Sequence, residues 1–177
     1  MRWFWIDRFT EFISGVSATA IKNVSLGDEC LHECYFDSHL AGTLVLEGLA
    51  QTGGMLVGET TDFSARLVLG KVSRLTLHDL ARPGDTLRYQ ARISMQGPEG
   101  ALISATSHVG DKLQAEAELF LAILPPHQRE ELFQPRELAR LLRMLRVYEV
   151  GRTADGRCLE MPDVFLKAEE SAVGTTS

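Results

Sequence analysis

Apolar residues surround the whole circumference of a helix that we predict between residues 43 and 59. The segment reads TLVLEGLAQTGGMLVGE, with small residues interleaved among leucine, valine and methionine. A helix that is apolar on all sides is usually buried inside a domain. Gly48, Gly53 and Gly54 lower its helix propensity, so we expect another element to pack closely against it.

The sequence after this helix has the pattern of strands. Four runs rich in leucine and β-branched residues are separated by turn sequences, RPGD at 82–85 and GPEG at 97–100 among them, which predicts antiparallel strands. Before the helix, residues 3–23 are typical of extended chain with a turn at Ser14, and residues 28–41 are typical of a loop. This order predicts an α+β domain in which an antiparallel sheet wraps around one central helix.

The sequence beyond Pro125 changes character. PRELARLLRMLRVYE, residues 135–149, places arginines on one helical face and leucines on another, which predicts an amphipathic helix. Its leucines would cover the domain or a neighbouring subunit, whereas its arginines suggest docking to an acidic partner or a membrane surface. We therefore divide the chain into a domain at 1–125, a helical extension at 126–166, and a small, polar tail at 167–177 that we expect to be disordered.

Composition narrows the possible classes of function. The 177 residues carry a formal net charge of -6, which argues against a general nucleic-acid binder. No apolar run approaches the ~18 residues of a transmembrane segment, and the aromatic, charged N-terminus lacks the features of a signal peptide. Three cysteines are an odd number, which favours a reducing compartment over a disulfide scaffold. We expect a cytoplasmic protein with no nucleic-acid partner and no transmembrane segment.

Residues with catalytic or ligand chemistry are concentrated between positions 30 and 51. Glu47 and Gln51 are four residues apart and would lie on one face of the helix. The loop before the helix contributes four further residues with metal-ligand chemistry: Cys30, His32, Cys34 and His39. The usual spacings of structural zinc sites are absent, so we expect no metal.

Several motifs in this order resemble the 3-hydroxyacyl-acyl-carrier-protein dehydratases of type II fatty-acid synthesis, close to their long-chain "Z" branch. LEGLAQTGG is similar to the central-helix signature of that family. LGKVSRLTLHDLARPGDTLRY is similar to its strand, proline-glycine-aspartate turn and next strand, and AEAELFLAI is similar to its last strand. The resemblance runs from about Ile6 to Leu124. It implies the hot-dog fold, a homodimer, no cofactor, and acyl carrier protein or an acyl thioester as the partner.

The resemblance also implies roles for individual residues. In such dehydratases a loop histidine removes the α-proton of the acyl thioester, and an acidic residue on the central helix of the other subunit protonates the leaving hydroxyl. By position, Glu47 would be the acid, Gln51 would orient it, and the N–H of Gly42 would bind the thioester carbonyl. An N–H at a helix N-terminus favours developing negative charge, which agrees with the role given to Gly42.

The loop departs from the family pattern. Where relatives read approximately Leu-His-Asp-His-Phe-Pro, this chain reads LHECYF, so Cys34 stands at the position of the catalytic histidine. His39 or His32 would take over as the base, or Cys34 itself would act as base or nucleophile. Otherwise the site is silent or weakened, since loss of a general base typically costs ~100- to 10,000-fold in rate.

Two classes of function follow from these features. The first is an enzyme that converts (3R)-3-hydroxyacyl-carrier-protein to trans-2-enoyl-carrier-protein. The second is a catalytically silent subunit of the same fold that binds acyl chains or the carrier protein, and an acyl thioesterase is a weaker third. Five basic residues would either face water or contact an acidic carrier protein: Lys71, Arg74, Arg82, Arg88 and Arg92.

Overall fold

A seven-stranded sheet organises the part of the chain that the computed structural model describes, residues 4–28, 40–124 and 134–170. The strands are β1 (Arg8–Ile13), β2 (Ser17–Asn23), β3 (Leu67–Leu77), β4 (Thr86–Gly97), β5 (Gly100–Val109), β6 (Lys112–Ile123) and β7 (Gly151–Arg152). Their order across the sheet is β3-β6-β5-β4-β2-β1-β7. All neighbours are antiparallel except β1 and β7, which are parallel. The predicted antiparallel sheet is therefore confirmed.

Helix α1 (Gly42–Glu59) lies against one face of this sheet and forms the centre of the core. Leu49 and Leu56 are completely buried. A Cβ atom added at Gly48 would lie 2.2 Å from Cζ of Tyr89 on β4, and one added at Gly53 would lie 3.1 Å from Cγ2 of Ile103 on β5. The expected close packing against the glycines of this helix is confirmed, and the α+β architecture with one central helix is confirmed with it.

The other face of the sheet is polar. Along β4 the buried residues Leu87 and Tyr89 alternate with the exposed residues Arg88 and Arg92, as expected for a strand with one face in the core. Arg74 on β3 pairs with Glu118 on β6 at 3.0 Å. These arginines therefore lie on the surface, and contact with a carrier protein stays a prediction for them.

The C-terminal region contains more than the one predicted helix. Helix α2 (Pro135–Met144) ends earlier than expected because Arg146 adopts a left-handed backbone conformation with φ of 61°. The short helix α3 (Val147–Val150), strand β7 and helix α4 (Asp163–Glu170) follow. None of the described helices is both long and apolar enough to cross a membrane.

Backbone hydrogen bonds attach this extension to the edge of the sheet at β1. The N–H of Phe9 donates to the carbonyl of Leu145, and the N–H of Ser14 donates to the carbonyl of Arg152, both at 2.8 Å. Helix α4 continues to Glu170, so the boundary that we placed at residue 166 falls inside this helix. Arg143 of α2 binds the carboxylate of Glu169 in α4 through two nitrogens. The extension thus packs as part of the domain.

Glu59 is a buried carboxyl group at the C-terminal end of α1, only 8% exposed. Burial raises its pKa above the ordinary value of 4.5, and nearby Asp62 raises the pKa further, while a hydrogen bond from Ser14 opposes both effects. Because the folded state holds this proton more tightly than the unfolded state, Glu59 contributes most to stability below pH 4.5. That contribution is lost as the pH rises through the folded-state pKa.

We expect Glu59→Gln to stabilise the protein at neutral pH, because it removes the cost of ionising a buried carboxyl group. Each unit by which folding raises the pKa corresponds to about 1.4 kcal/mol of stability at neutral pH. Urea unfolding at a series of pH values measures this gain, which should shrink towards acid pH. The exposed Glu160→Gln is the control; equal pH dependence in the two variants would contradict the prediction.

We also expect Gly48→Ala to destabilise the protein by about 1–3 kcal/mol, because the new methyl group has to displace the Tyr89 ring. Gly54→Ala is the matched control in the same helix, since a Cβ at Gly54 would have no atom within 4 Å. That change should be neutral or stabilise by up to ~1 kcal/mol through helix propensity. Urea unfolding measures the free energy of unfolding of both variants. Equal values for Gly48→Ala and Gly54→Ala would mean that the close approach at Gly48 is unimportant.

Candidate active site

A cavity of about 620 Å³ follows one side of helix α1. The helix contributes six residues to its lining, spaced as a single stripe: Glu47, Ala50, Gln51, Gly54, Met55 and Gly58. At 1.5 Å per residue the stripe is about 16 Å long. Three of these residues are alanine or glycine, whose side chains are short or absent, so this side of the helix leaves an elongated space along its length.

Most of the remaining lining is apolar. It includes Phe4, Phe63, Leu67, Leu69 and Leu121 from the domain. The loop between α1 and β3 adds the polar residues Ser64 and Arg66. An elongated cavity with mainly hydrocarbon walls, and with a carboxyl group where the helical stripe begins, suits an apolar chain attached to a polar reacting group.

The amide side chain of Gln51 holds the carboxyl group of Glu47. Its Nε2 donates to Oε1 of Glu47 at 2.8 Å. Its Oε1 accepts a hydrogen bond from the backbone N–H of Trp5 at 2.8 Å and a longer one from the N–H of Ile6 at 3.4 Å. Both ends of the amide are therefore used, which determines its orientation. Among the described residues, no hydrogen bond engages Oε2 of Glu47.

Trp5 is held in turn by the core. Its indole Nε1 donates to the hydroxyl of Tyr89 at 3.1 Å, and the ammonium of Lys22 lies 4.7 Å from the centre of its ring. Burial raises the pKa of Tyr89, so that its hydroxyl stays neutral. Neither Trp5 nor Tyr89 was predicted from the sequence to belong to the site. The aromatic start of the chain, WFWIDRF, was the only signal, and it did not show that a backbone N–H would support Gln51.

Gly42 begins α1 but does not line the cavity. A Cβ atom there would lie 2.3 Å from Cδ1 of Leu77 at the end of β3, so the helix start and the end of this edge strand are in close contact. Ala41 provides no side-chain cap. The N–H of Leu44 donates to the carbonyl of Ala41 at 2.9 Å, whereas no hydrogen bond from the N–H of Gly42 or Thr43 is found among the described residues, as is usual at the start of a helix. Those donors can therefore serve a ligand.

The structure thus brings Glu47 and Gln51 together and places Gly42 at the start of the same helix, about one and a half turns before Glu47. The predicted residues Cys34 and His39 lie outside the described part of the chain, as do Cys30 and His32. Their contributions to the site stay predictions.

The sequence is similar to those of curated dehydratases. It is 33% identical over 128 residues to the 3-hydroxyacyl-[acyl-carrier-protein] dehydratase FabZ of Chloroflexus aggregans, which covers 68% of this chain and 85% of that protein. The chain belongs to the FabZ family. The FabZ of Campylobacter fetus is 29% identical over 123 residues, 64% of this chain and 82% of that protein. A scan against protein-family models gave no match.

Solved structures share the hot-dog fold of this FabZ-family chain. The dehydratase heterocomplex ApeI:P from Xenorhabdus doucetiae matches with a TM-score of 0.61 and 14% identity over 70% or more of both chains (71% and 86%). A hypothetical thioesterase with coenzyme A from Streptococcus pneumoniae matches with a TM-score of 0.55 and 12% identity, covering 66% of this chain and 84% of that one. At these identities the likeness establishes the fold, which was predicted correctly.

We expect Gln51→Leu to destabilise the protein by about 1–3 kcal/mol, because the apolar side chain cannot make the hydrogen bonds that Gln51 makes with the N–H of Trp5 and the carboxyl of Glu47. Urea unfolding measures the loss. Gln96→Leu is the control, since Gln96 makes a single exposed hydrogen bond to Thr60 and should cost much less. An equal effect of the two changes would show that the Gln51 amide does not support the site.

Proposed function

We propose that this chain eliminates water from (3R)-3-hydroxyacyl thioesters of acyl carrier protein to give trans-2-enoyl thioesters. The observation that carries the proposal is the Glu47 carboxyl group, held by Gln51 where an elongated apolar cavity begins. Membership of the FabZ family supports it, since its curated members are named as dehydratases of this substrate.

The geometry suggests which oxygen of Glu47 carries the proton. In the elimination, a base removes the proton on C2, the bond between C3 and its hydroxyl breaks, and the hydroxyl leaves as water after receiving a proton. Oε1 of Glu47 accepts the Gln51 amide hydrogen, so the transferable proton belongs on Oε2, the oxygen available to a substrate. Gln51 therefore acts as a positioning residue that selects this arrangement.

Gly42 would stabilise the other end of the reacting group. As the electrons of the C2–H bond move towards the thioester, negative charge develops on the carbonyl oxygen. A backbone N–H in the first turn of α1, near the positive end of the helix dipole, stabilises such charge. This role needs the thioester to reach the helix start while its acyl chain follows the stripe beyond Glu47.

The exposed edge strand β3 favours assembly of two copies. This strand has eleven residues, and four of its apolar side chains are 36–42% exposed: Val68, Leu69, Val72 and Leu77. A long apolar edge strand readily pairs with another chain. We propose a homodimer joined along β3, in which the loop of one copy completes the site around Glu47 of the other.

Replacing Glu47 by glutamine keeps the shape of the side chain but removes its acidic proton. We expect Glu47→Gln to lower kcat/KM for dehydration by ~100- to 10,000-fold, the usual range for loss of a general acid. The assay is hydration of 2-enoyl and dehydration of 3-hydroxyacyl carrier-protein thioesters. Glu59→Gln, at the other end of the same helix and off the cavity, should keep wild-type activity. Full activity of Glu47→Gln would exclude the mechanism.

Cys34 at the position of the usual histidine favours a second candidate, a silent subunit that binds acyl chains or the carrier protein. The same assay with Cys34→His separates the two functions. An active wild type supports the dehydratase, and His39→Ala then tests whether this histidine is the base. An inert wild type that gains activity in Cys34→His would instead identify a binding subunit that has lost its base.

A further inference from the structure

The C-terminal extension contributes two side chains to the wall of the cavity. Leu138 and Leu141 are three residues apart on α2, and both line the space that contains Glu47. They are half-buried, whereas Met144 on the same helix is 71% exposed and does not line the cavity. The extension therefore turns one leucine pair towards the candidate site.

We propose that Leu138 and Leu141 limit the length of the acyl chain that the cavity accepts. The inference rests on the proposed function for the chemical class of the occupant, an acyl thioester. It adds that the chain-length limit comes from helix α2 of the extension and not from the central helix and the strands that precede α2.

The leucine pair is held in place from the other side of α2. Ala139 and Leu142 are completely buried in the core. The carbonyl of Leu145, immediately after the helix, accepts the N–H of Phe9 on β1. Arg143 binds Glu169 of α4 at 2.8 Å through its Nε. Because the helix is anchored at each of these points, Leu138 and Leu141 form a wall that a chain cannot easily displace.

The shape and the lining of the cavity indicate which kind of ligand it would hold. Beyond Glu47 and Gln51, the stripe of α1 continues with Gly54, Met55 and Gly58, none of which carries a polar side chain. The cavity is long along the helix and narrow across it, and its volume of about 620 Å³ lies within the ordinary range for a ligand pocket. An extended acyl chain whose 3-hydroxyl lies at Glu47, with its thioester towards the helix start, has both the shape and the polarity that this space requires.

Binding of unreactive ligands tests the inference apart from catalysis. The probes are alkyl pantetheine thioethers with even chains from butyl to octadecyl, titrated by calorimetry into the full-length protein. We expect affinity to rise about fourfold for each methylene buried, and to stop rising at the length where the chain meets the wall. The double variant Leu138→Ala/Leu141→Ala should move this limit by at least two carbons towards longer chains, because truncation removes carbon atoms from the wall.

Two further variants complete the test. Leu141→Phe adds bulk to the same wall and should move the limit towards shorter chains, which keeps the inference testable if the double variant fails to fold. Met144→Ala is the matched control on the exposed side of α2 and should leave the limit unchanged. Hydration of 2-enoyl carrier-protein thioesters of the same lengths is measured in parallel.

The outcomes distinguish this inference from the proposed function. A shifted limit in binding without any turnover supports the role of α2 and overturns the dehydratase. The same limit in wild type, the double variant and Leu141→Phe overturns the inference, as does an equal shift in Met144→Ala. Failure of the wild type to bind a chain of any length overturns it too.

Discussion

The close approach of helix α1 to strand β4 is the constraint on which the candidate site depends. At Gly48 the helix leaves room only for a hydrogen, and the ring of Tyr89 fills the space where a side chain would be. The hydroxyl of that tyrosine accepts the indole N–H of Trp5, and the backbone N–H of Trp5 supports Gln51. Gln51 then holds Glu47. The packing of the core therefore determines, through this series of contacts, how the carboxyl group of Glu47 is oriented.

Helix α1 has two functional sides, although its sequence is apolar nearly everywhere. One side packs on the sheet through Gly48, Gly53 and the buried leucines. The other side carries Glu47 and Gln51 and continues in small residues along the cavity. Glycine serves both sides for different physical reasons. Against the sheet it allows two backbone elements to come close, and along the cavity it leaves space for a ligand.

The C-terminal extension contacts both the sheet and the cavity. It adds the parallel strand β7 beside β1, and its α2 helix reaches the cavity on the other side of the core. Phe165 of α4 packs edge-on against Phe63 after α1, with 6.2 Å between ring centres. The C-terminal extension therefore bears on the shape of the cavity, whereas Glu47 and Gln51 are supplied by the central helix.

Local patterns in the sequence were sufficient to predict the type and order of the main elements. The apolar helix, the four alternating runs and the turns at RPGD and GPEG each impose a local period or a backbone bend, and these signals depend only on neighbouring residues. The pair formed by Glu47 and Gln51 was predictable for the same reason, since residues four apart share a helical face.

The distant residues that support that pair could be identified only from the folded arrangement of the chain. Trp5 and Tyr89 are 84 positions apart in the chain, and no local period relates them. Likewise, the amphipathic pattern of residues 135–149 predicted that its leucines would be covered, but not that Leu138 and Leu141 would line a cavity while Ala139 and Leu142 entered the core. A hydrophobic pattern specifies which side chains avoid water. Whether those side chains pack into the core or line a cavity depends on how all the elements pack together.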